Sequence, residues 1–185
     1  QLSHEIGLQI KGLLGMDVLA RASLHFSLGS EELQVGAPLP AVTPAHPHYP
    51  YMVVSGSDLP LFSVRLNGHP AKVAWDTGAQ FGYVADARFL AGLRPEKGFH
   101  DFSPLFGDLD PQESFEVPFE LGNQSFTERV ALAPEVGGGG ISPIPLRSFL
   151  RQVGIDAIIG PRLLKTTDLW LDPKRRLYAL RPLTS

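Results

Sequence analysis

The stretch KVAWDTGAQFGYV, residues 72–84, places an Asp-Thr-Gly triplet directly after an apolar segment. Upstream of it, apolar and polar side chains alternate on both sides of Asn67-Gly68, a pattern typical of a two-residue β-hairpin turn. The second strand of that hairpin then ends at Asp76. A single triplet of this kind is more often an ordinary turn than a catalytic site, so its meaning depends on the rest of the chain.

The surrounding sequence predicts a mostly β chain. Its 185 residues include 19 glycines and 17 prolines, which interrupt short runs rich in valine, leucine and phenylalanine. Two further hairpins are expected, with turns at Gly122-Asn123 and at Asp172-Pro173. Helical patterns are few and short: they follow Asp86, span residues 146–153 before Gly154, and begin at Pro161.

The sequence also contains an internal repeat. GLLGMDVLARASLHFSL, from Gly12, aligns without a gap with AIIGPRLLKTTDLWLDP, from Ala157. The offset is 145 positions, the difference between Leu13 and Ile158. The matching pairs are Leu13 and Ile158, Leu14 and Ile159, Gly15 and Gly160, Val18 and Leu163, Leu19 and Leu164, and Leu24 and Leu169.

At this offset, a counterpart of Asp76 would fall before residue 1. We therefore expect residues 1–36 to be the C-terminal remnant of a preceding lobe and residues 51–185 to be one whole domain. Residues 37–50 contain five prolines and are expected to form an extended linker. Because the sequence starts at Gln1, without methionine or a signal peptide, we expect a processed or excised polypeptide.

The motif at Asp76 and the later segment AIIGPRLL together resemble the retropepsin-like aspartic peptidases. In that family an Asp-Thr-Gly follows an apolar strand, and two aliphatic residues, a glycine and a short helix come later in the same domain. The resemblance extends from the strand at Leu61 to the closing strand at Leu180. It implies a retropepsin-like closed β-barrel, the acid protease fold, with a few short helices.

The resemblance also implies roles for individual residues. Asp76 would be one of two catalytic carboxylates, which share one proton because two like charges about 3 Å apart cannot both ionise. Thr77 would position the active-site loop, and Gly78 would permit a close backbone approach. The residues expected to support the loop are Thr77, Gly78, Ala79, Ile158, Ile159 and Gly160. A hairpin flap is expected between Phe99 and Phe115, with Gly107 near its tip.

One position indicates a branch of the family, and three others differ from the family pattern. Ala79 stands where pepsins more often have serine, which is closer to the retroviral and single-domain bacterial branch. Trp75 is bulkier than the usual aliphatic residue, Gln80 replaces a common serine or aspartate, and Pro161 replaces an arginine of the retroviral enzymes. These differences affect packing and dimer contacts more than the chemistry.

The sequence leaves the source of the second aspartate open. A symmetric homodimer would bring two copies of Asp76 together, as in the retroviral enzymes. Alternatively, a preceding lobe of a tandem, pepsin-like protein would supply it, either removed by processing or present as a separate fragment; the repeat favours this origin. In either case we expect a polypeptide substrate. The remaining alternative is a catalytically silent module that binds peptide or forms dimers.

Other chemistries find little support in the sequence. The six histidines have no metal-ligand spacing, so neither a metal nor another cofactor is expected. A net charge of −3 gives no reason to expect a nucleic acid or an anionic membrane as partner, and no apolar run is long enough for a membrane span. There is no cysteine and no serine-hydrolase elbow. Asp101 and the other acids in Gly- or Pro-containing stretches are interpreted as loop positions. The sequence indicates no compartment.

Overall fold

The structure is a computed structural model that describes residues 15–27, 29–44, 46–76, 79, 81–103, 105–136 and 139–183. Its strands are β1 (Leu24–Ser27), β2 (Glu32–Val35), β3 (His48–Pro50), β4 (Met52–Val53), β5 (Pro60–Leu66), β6 (His69–Trp75), β7 (Gly82–Val84), β8 (Glu96–Lys97), β9 (Phe102–Ser103), β10 (Gly107–Asp108), β11 (Glu113–Leu121), β12 (Gln124–Leu132), β13 (Ala157–Ile159), β14 (Thr167–Asp172) and β15 (Leu177–Pro182). The helices are α1 (Met16–Leu19) and α2 (Leu146–Val153), with the 3₁₀ turns η1 (Ala87–Leu90) and η2 (Pro161–Lys165).

Six strands close into a barrel. They follow the order β5, β6, β13, β7, β12 and β11, and β11 pairs back onto β5. The strand β13 runs parallel to β6 and antiparallel to β7. It therefore lies between the two strands that contain the ends of the KVAWDTGAQFGYV stretch. The barrel interior is filled by fully buried apolar side chains, among them Phe62, Val73 and Phe119. This topology confirms the prediction of a mostly β chain with a closed barrel and a few short helices.

The three predicted hairpins and the helix ends are also confirmed. Asn67 and Gly68 join β5 to β6 with φ of 47° and 76°, the left-handed backbone that a two-residue hairpin turn needs. The other two hairpins are formed by β11 with β12 and by β14 with β15. The helix α2 ends at Gly154, whose φ is 70°.

A second sheet joins the two ends of the chain. Its strand order is β2, β1, β14, β15, β3, so the hairpin of residues 24–35 lies beside the closing hairpin of the barrel. Residues 48–50, which we expected to belong to an extended linker, form the edge strand β3 on β15. The division into residues 1–36, 37–50 and 51–185 describes a proposed origin, and it stays a prediction.

The internal repeat has a counterpart in the register of this sheet. Leu24 pairs with Val35 on β2, and at the same offset Leu169 pairs with Leu180 on β15. Between the two hairpins, β1 and β14 are antiparallel and His25 pairs with Trp170, which is its own repeat counterpart. An approximate twofold axis through this pair therefore relates the two hairpins.

Charged and aromatic groups fill the seam between β1 and β14. The His25 ring stacks on the Trp170 ring with 4.1 Å between centroids and 3° between planes. The buried Asp168 carboxylate lies 3.7 Å from His25 Nε2 and pairs with Arg181, whose guanidinium lies over the Trp170 ring. The two hairpins are thus joined by polar contacts as well as by strand hydrogen bonds. Within the described ranges, no helix has the length and apolar character to cross a membrane.

Candidate active site

Asp76 lies at the carboxyl end of β6, where the backbone leaves the barrel. Its amide N–H donates a hydrogen bond to the carbonyl oxygen of Ile159 with an N···O distance of 3.0 Å, and the Ala79 amide donates to the Asp76 carbonyl at 3.2 Å. The parallel pairing of β6 with β13, in which Trp75 opposes Ile159, brings these segments together. The Asp76 side chain is exposed at this end of the barrel.

Trp75, the bulky residue before the aspartate, braces the same junction. Its indole Nε1–H donates to the carbonyl oxygen of Gly160 at 2.9 Å. Its ring packs edge-on against the buried Phe62, with 5.7 Å between centroids. An aliphatic side chain could fill the space but could not donate this hydrogen bond. The departure from the family pattern therefore adds a second link between the Asp76 strand and the aliphatic-Gly segment.

A buried carboxyl group supports the turn that follows Gly160. Pro161 occupies the first position of η2, as its missing amide hydrogen allows, and Leu163 and Leu164 are buried. The Leu163 amide donates to Glu128 Oε1 at 3.1 Å. Burial raises the pKa of Glu128 to about 7, although this hydrogen bond and the charge of Arg162 lower it. The turn after the aliphatic-Gly strand is thus supported by a carboxyl group whose pKa burial raises to about 7.

A short hairpin lies where the sequence predicts a flap. It consists of β9 and β10, and Gly107 pairs with Ser103 just after the connection between the strands. The hairpin packs against α2 and the segment before it: Phe106 contacts Phe149 of the helix, and the Ser142 amide donates to the Leu105 carbonyl at 2.7 Å. These contacts hold the hairpin against the body of the barrel.

The base of this hairpin contains a second acidic side chain in the field of Asp76. The Tyr83 hydroxyl donates to Asp101 Oδ2 at 2.7 Å. Burial raises the pKa of Asp101, hydrogen bonds from Tyr83 and from the Phe102 amide lower it, and the negative charge of Asp76 raises it. Burial and the contact with Asp101 raise the pKa of Tyr83 above its usual range. Asp76 and Asp101 are therefore electrostatically coupled.

A largely apolar cavity of about 410 Å³ adjoins Asp76. One wall comes from the barrel and the other from the N-terminal residues. The residues around the cavity are Gly15, Met16, Leu19 and Phe26 on the N-terminal side, Leu59, Pro60, Phe62, Ala74, Trp75, Asp76 and Ile158 on the barrel side, and Leu164 of η2 with Leu169 and Leu171 of β14. The cavity therefore spans the junction of the two repeats.

The structure brings together those predicted site residues that it describes. Asp76, Ala79 and Ile158 to Gly160 lie at one end of the barrel, whereas Thr77, Gly78 and Gln80 lie outside the described residues. Sequence reasoning missed the Tyr83–Asp101 contact and the buried Glu128. In FTERVAL, Glu128 lies two residues from both Phe126 and Val130, so it shares their face of β12. That position was the available signal that its carboxyl group is buried.

We find no metal centre in the described part of the chain. Across residues 15–183, excluding the gaps stated above, no three His, Cys, Asp or Glu side chains are arranged to hold a metal ion.

The closed barrel, with an aspartate at the end of β6 beside an aliphatic-Gly strand, defines a retropepsin-like fold. Neither protein-family models nor curated protein sequences match the chain. Among solved structures, EIAV protease complexed with the inhibitor HBY-793 is similar with a TM-score of 0.37 and 20% identity, over 56% of this chain and 96% of that chain. A retropepsin-like aspartic protease from Rickettsia conorii is similar with a TM-score of 0.42 and 14% identity, over 74% and 92%.

Proposed function

We propose that this protein is an aspartic endopeptidase in which Asp76 supplies one of two catalytic carboxylates. The observation that carries the proposal is the hydrogen bond from the Asp76 amide to the Ile159 carbonyl, which fixes the aspartate at the open end of the barrel. The Trp75–Gly160 bond strengthens the same junction. A backbone held in this way gives the carboxylate a fixed point of attachment, and general acid–base chemistry requires such positioning.

The proposed reaction needs a second carboxylate opposite Asp76. With one proton shared between the two, the ionised carboxylate takes a proton from water, and the protonated one polarises the scissile carbonyl. The apparent pKa values then belong to the pair. In this proposal Thr77, Gly78 and Ala79 shape the loop, and Ile158, Ile159 and Gly160 support it. The second aspartate comes from another chain or from a complementary lobe.

We propose an extended polypeptide as the substrate. Asp76 borders an apolar cavity. The β9–β10 hairpin lies at the same end of the barrel, because Asp101, the residue directly before β9, is in the field of Asp76. A strand-like peptide lying between the hairpin and the carboxylates could use backbone hydrogen bonds for affinity and apolar side chains for specificity.

The test is cleavage of an unfolded polypeptide such as casein by the Asp76→Asn variant. Loss of one catalytic carboxylate is expected to reduce the rate at least about 100-fold, the lower range for general acid–base groups. A statine-type inhibitor, which mimics the transition state, should block cleavage by the wild-type protein. Glu120→Gln, an exposed acid on the outer side of β11, is the matched control and should cleave at the wild-type rate.

Two outcomes would contradict the proposal. One is undiminished cleavage by Asp76→Asn. The other is binding of extended peptides without cleavage in every assembly of the protein, which would establish the silent module instead. Intact mass and solution molecular weight of the active protein separate the two sources of the second carboxylate, because a homodimer contains only copies of this chain, whereas a complementary lobe adds a different polypeptide segment.

A further inference from the structure

The five-stranded sheet has one apolar face, and its edge on β2 is not buried. Directly paired residues of neighbouring strands share a face, so this face can be followed across the sheet. On β14 and β15 it consists of Leu169, Leu171, Tyr178 and Leu180, all at most 4% exposed. On β1 and β2 it continues through Leu24, Phe26, Leu33 and Val35.

The two repeats differ sharply in how well this surface is covered. Three apolar positions are buried in the C-terminal copy and exposed in the N-terminal copy. The pairs are Leu163 (2% exposed) and Val18 (47%), Tyr178 (2%) and Leu33 (46%), and Leu180 (1%) and Val35 (60%). The sequence thus keeps apolar residues at positions where the described structure provides no barrel to bury them.

The twofold relation indicates the shape that would cover these residues. In the C-terminal copy, η2 and the β14–β15 hairpin close one end of the barrel, with Tyr178 edge-on to Phe62 at 5.1 Å. The axis through His25 and Trp170 places α1 and the β1–β2 hairpin in the same relation to a second volume on its other side. A second barrel placed in that volume by the same axis would have its own β6 counterpart ending across the axis from Asp76.

We propose that the surface formed by Val18, Leu33 and Val35 binds the barrel of a second retropepsin-like lobe, one whose closing helix and hairpin are residues 16–35 of this chain. The occupant is a lobe of this fold that lacks its own closing segment and carries its own aspartate. The statement that this lobe supplies the second catalytic aspartate rests on the proposed function. The statement that it covers Val18, Leu33 and Val35 rests only on the five-stranded sheet and its exposed apolar residues.

A second copy of this chain does not fit the same surface. Its barrel is already closed by its own β14–β15 hairpin, and the edge of its β14 is already paired with its own β1. Two copies that exchanged their N-terminal hairpins would still leave Val18, Leu33 and Val35 uncovered. Burial of this surface therefore requires a barrel with a vacant closing position.

Thiol protection provides the test, because the chain has no cysteine. The Val35→Cys substitution is made in the 185-residue chain and, separately, in the gene of its own source, whose product is purified as the natural protein. Alkylation by iodoacetamide at position 35 is followed by mass spectrometry in both. We expect the thiol at position 35 to react at least about tenfold more slowly in the natural protein, as for sites reached only by local opening. Val42→Cys is the control: Val42 is 69% exposed and lies outside this surface, so its reactivity should be equal in both forms.

Three results would overturn the inference. Equal reactivity of position 35 in both forms would show that no lobe covers the surface. Protection in the 185-residue chain that disappears on dilution would identify a second copy as the occupant. Protection by a polypeptide without an Asp-Thr/Ser-Gly-containing barrel would identify a different partner. If position 35 is protected but Asp76→Asn cleaves normally, the docking stands and the proposed function fails.

Discussion

The indole nitrogen of Trp75 and the carbonyl oxygen of Gly160 lie 2.9 Å apart and join two segments separated by 85 residues. The backbone amide of the next residue, Asp76, donates to Ile159, so two adjacent residues are attached to two consecutive residues of the supporting segment, one through a side chain and one through the backbone. The position of the carboxylate therefore depends on the β13 segment as much as on its own hairpin.

Trp75→Phe should weaken this attachment while keeping an aromatic ring against Phe62. Loss of one such hydrogen bond is expected to lower the free energy of unfolding by about 1 kcal/mol. It should also lower kcat more than KM changes, because the carboxylate loses orientation. Urea unfolding and cleavage kinetics measure the two effects. Phe119→Leu, a core change remote from Asp76, should cost similar stability and leave kcat unchanged; equal kcat losses in both variants would refute the positioning role.

Glu128→Gln should change how stability depends on pH. The pKa of Glu128 rises from 4.5 to about 7 in the folded protein, so between these values the folded state holds a proton that the unfolded state has released. The contribution of the Glu128 carboxyl group to stability is then greatest below pH 4.5 and is lost as pH rises towards 7, by about 3 kcal/mol in total. Glutamine cannot ionise and can still accept from the Leu163 amide.

Urea unfolding at pH 5 and pH 8 measures this difference. The variant should be more stable than wild type at pH 8 and nearly equal to it at pH 5. The exposed Glu120→Gln serves as the control and should follow the wild-type pH curve. A Glu128→Gln curve parallel to wild type would show that the buried carboxyl does not titrate in this range.

Tyr83→Phe should move the titration of Asp101 to higher pH, because the phenol hydrogen bond that lowers its pKa is removed. Asp76→Asn should move it the opposite way, because a neighbouring negative charge that raises the pKa is removed. The carboxyl ¹³C shift of Asp101 followed by NMR reports both directions. Tyr49→Phe, in the other sheet, should leave the midpoint in place; an unmoved midpoint in Asp76→Asn would disprove the coupling.

Arg181→Met should destabilise the seam between the hairpins at neutral pH. Asp168 is buried, and although burial raises its pKa, hydrogen bonds from Ser27 and Arg181 and the charges of Arg181 and His25 hold the pKa below 3.8. Removing the arginine leaves a poorly compensated buried carboxylate, which typically costs about 3 kcal/mol.

This cost should shrink in acid. The Asp168 carboxyl group has a lower pKa in the folded protein than in the unfolded chain, so it stabilises the fold at pH values above its unfolded-state pKa. This stabilisation is lost as the pH falls through its folded-state pKa. The free energies of unfolding of Arg181→Met and wild type should therefore differ most at pH 7, and the difference should shrink as the pH falls below 3.8. Arg175→Met, which removes an exposed guanidinium next to Asp172, is the control and should show little effect at either pH.

Local sequence patterns predicted the features that depend on neighbours in the chain. Asn67-Gly68 specified a turn through its backbone preferences, and Gly154 specified the end of α2 for the same reason. The placement of Asp76 beside Ile159 came from the family resemblance, since no local rule connects residues so far apart.

The features that sequence reasoning missed depend on long-range pairing. Asp101 looked like any loop acid, and only the packing of the β9–β10 hairpin brings it to Tyr83 and into the field of Asp76. Trp75 looked like a disturbance of packing, and only the position of the Gly160 carbonyl turns it into a hydrogen-bond donor. The repeat was visible in the sequence, but the pairing of β1 with β14 was not.

That pairing changes what the connection between the hairpins must do. Residues 36–47 link β2 to β3, and both strands already belong to the same sheet. A protease that cut this connection would leave the N-terminal hairpin bound through β1, the His25–Trp170 stack and the Asp168 seam. The connection raises the effective concentration of the hairpin but does not determine where it binds. A protein cut in this connection should therefore keep its fold, and its two fragments should separate only under denaturing conditions.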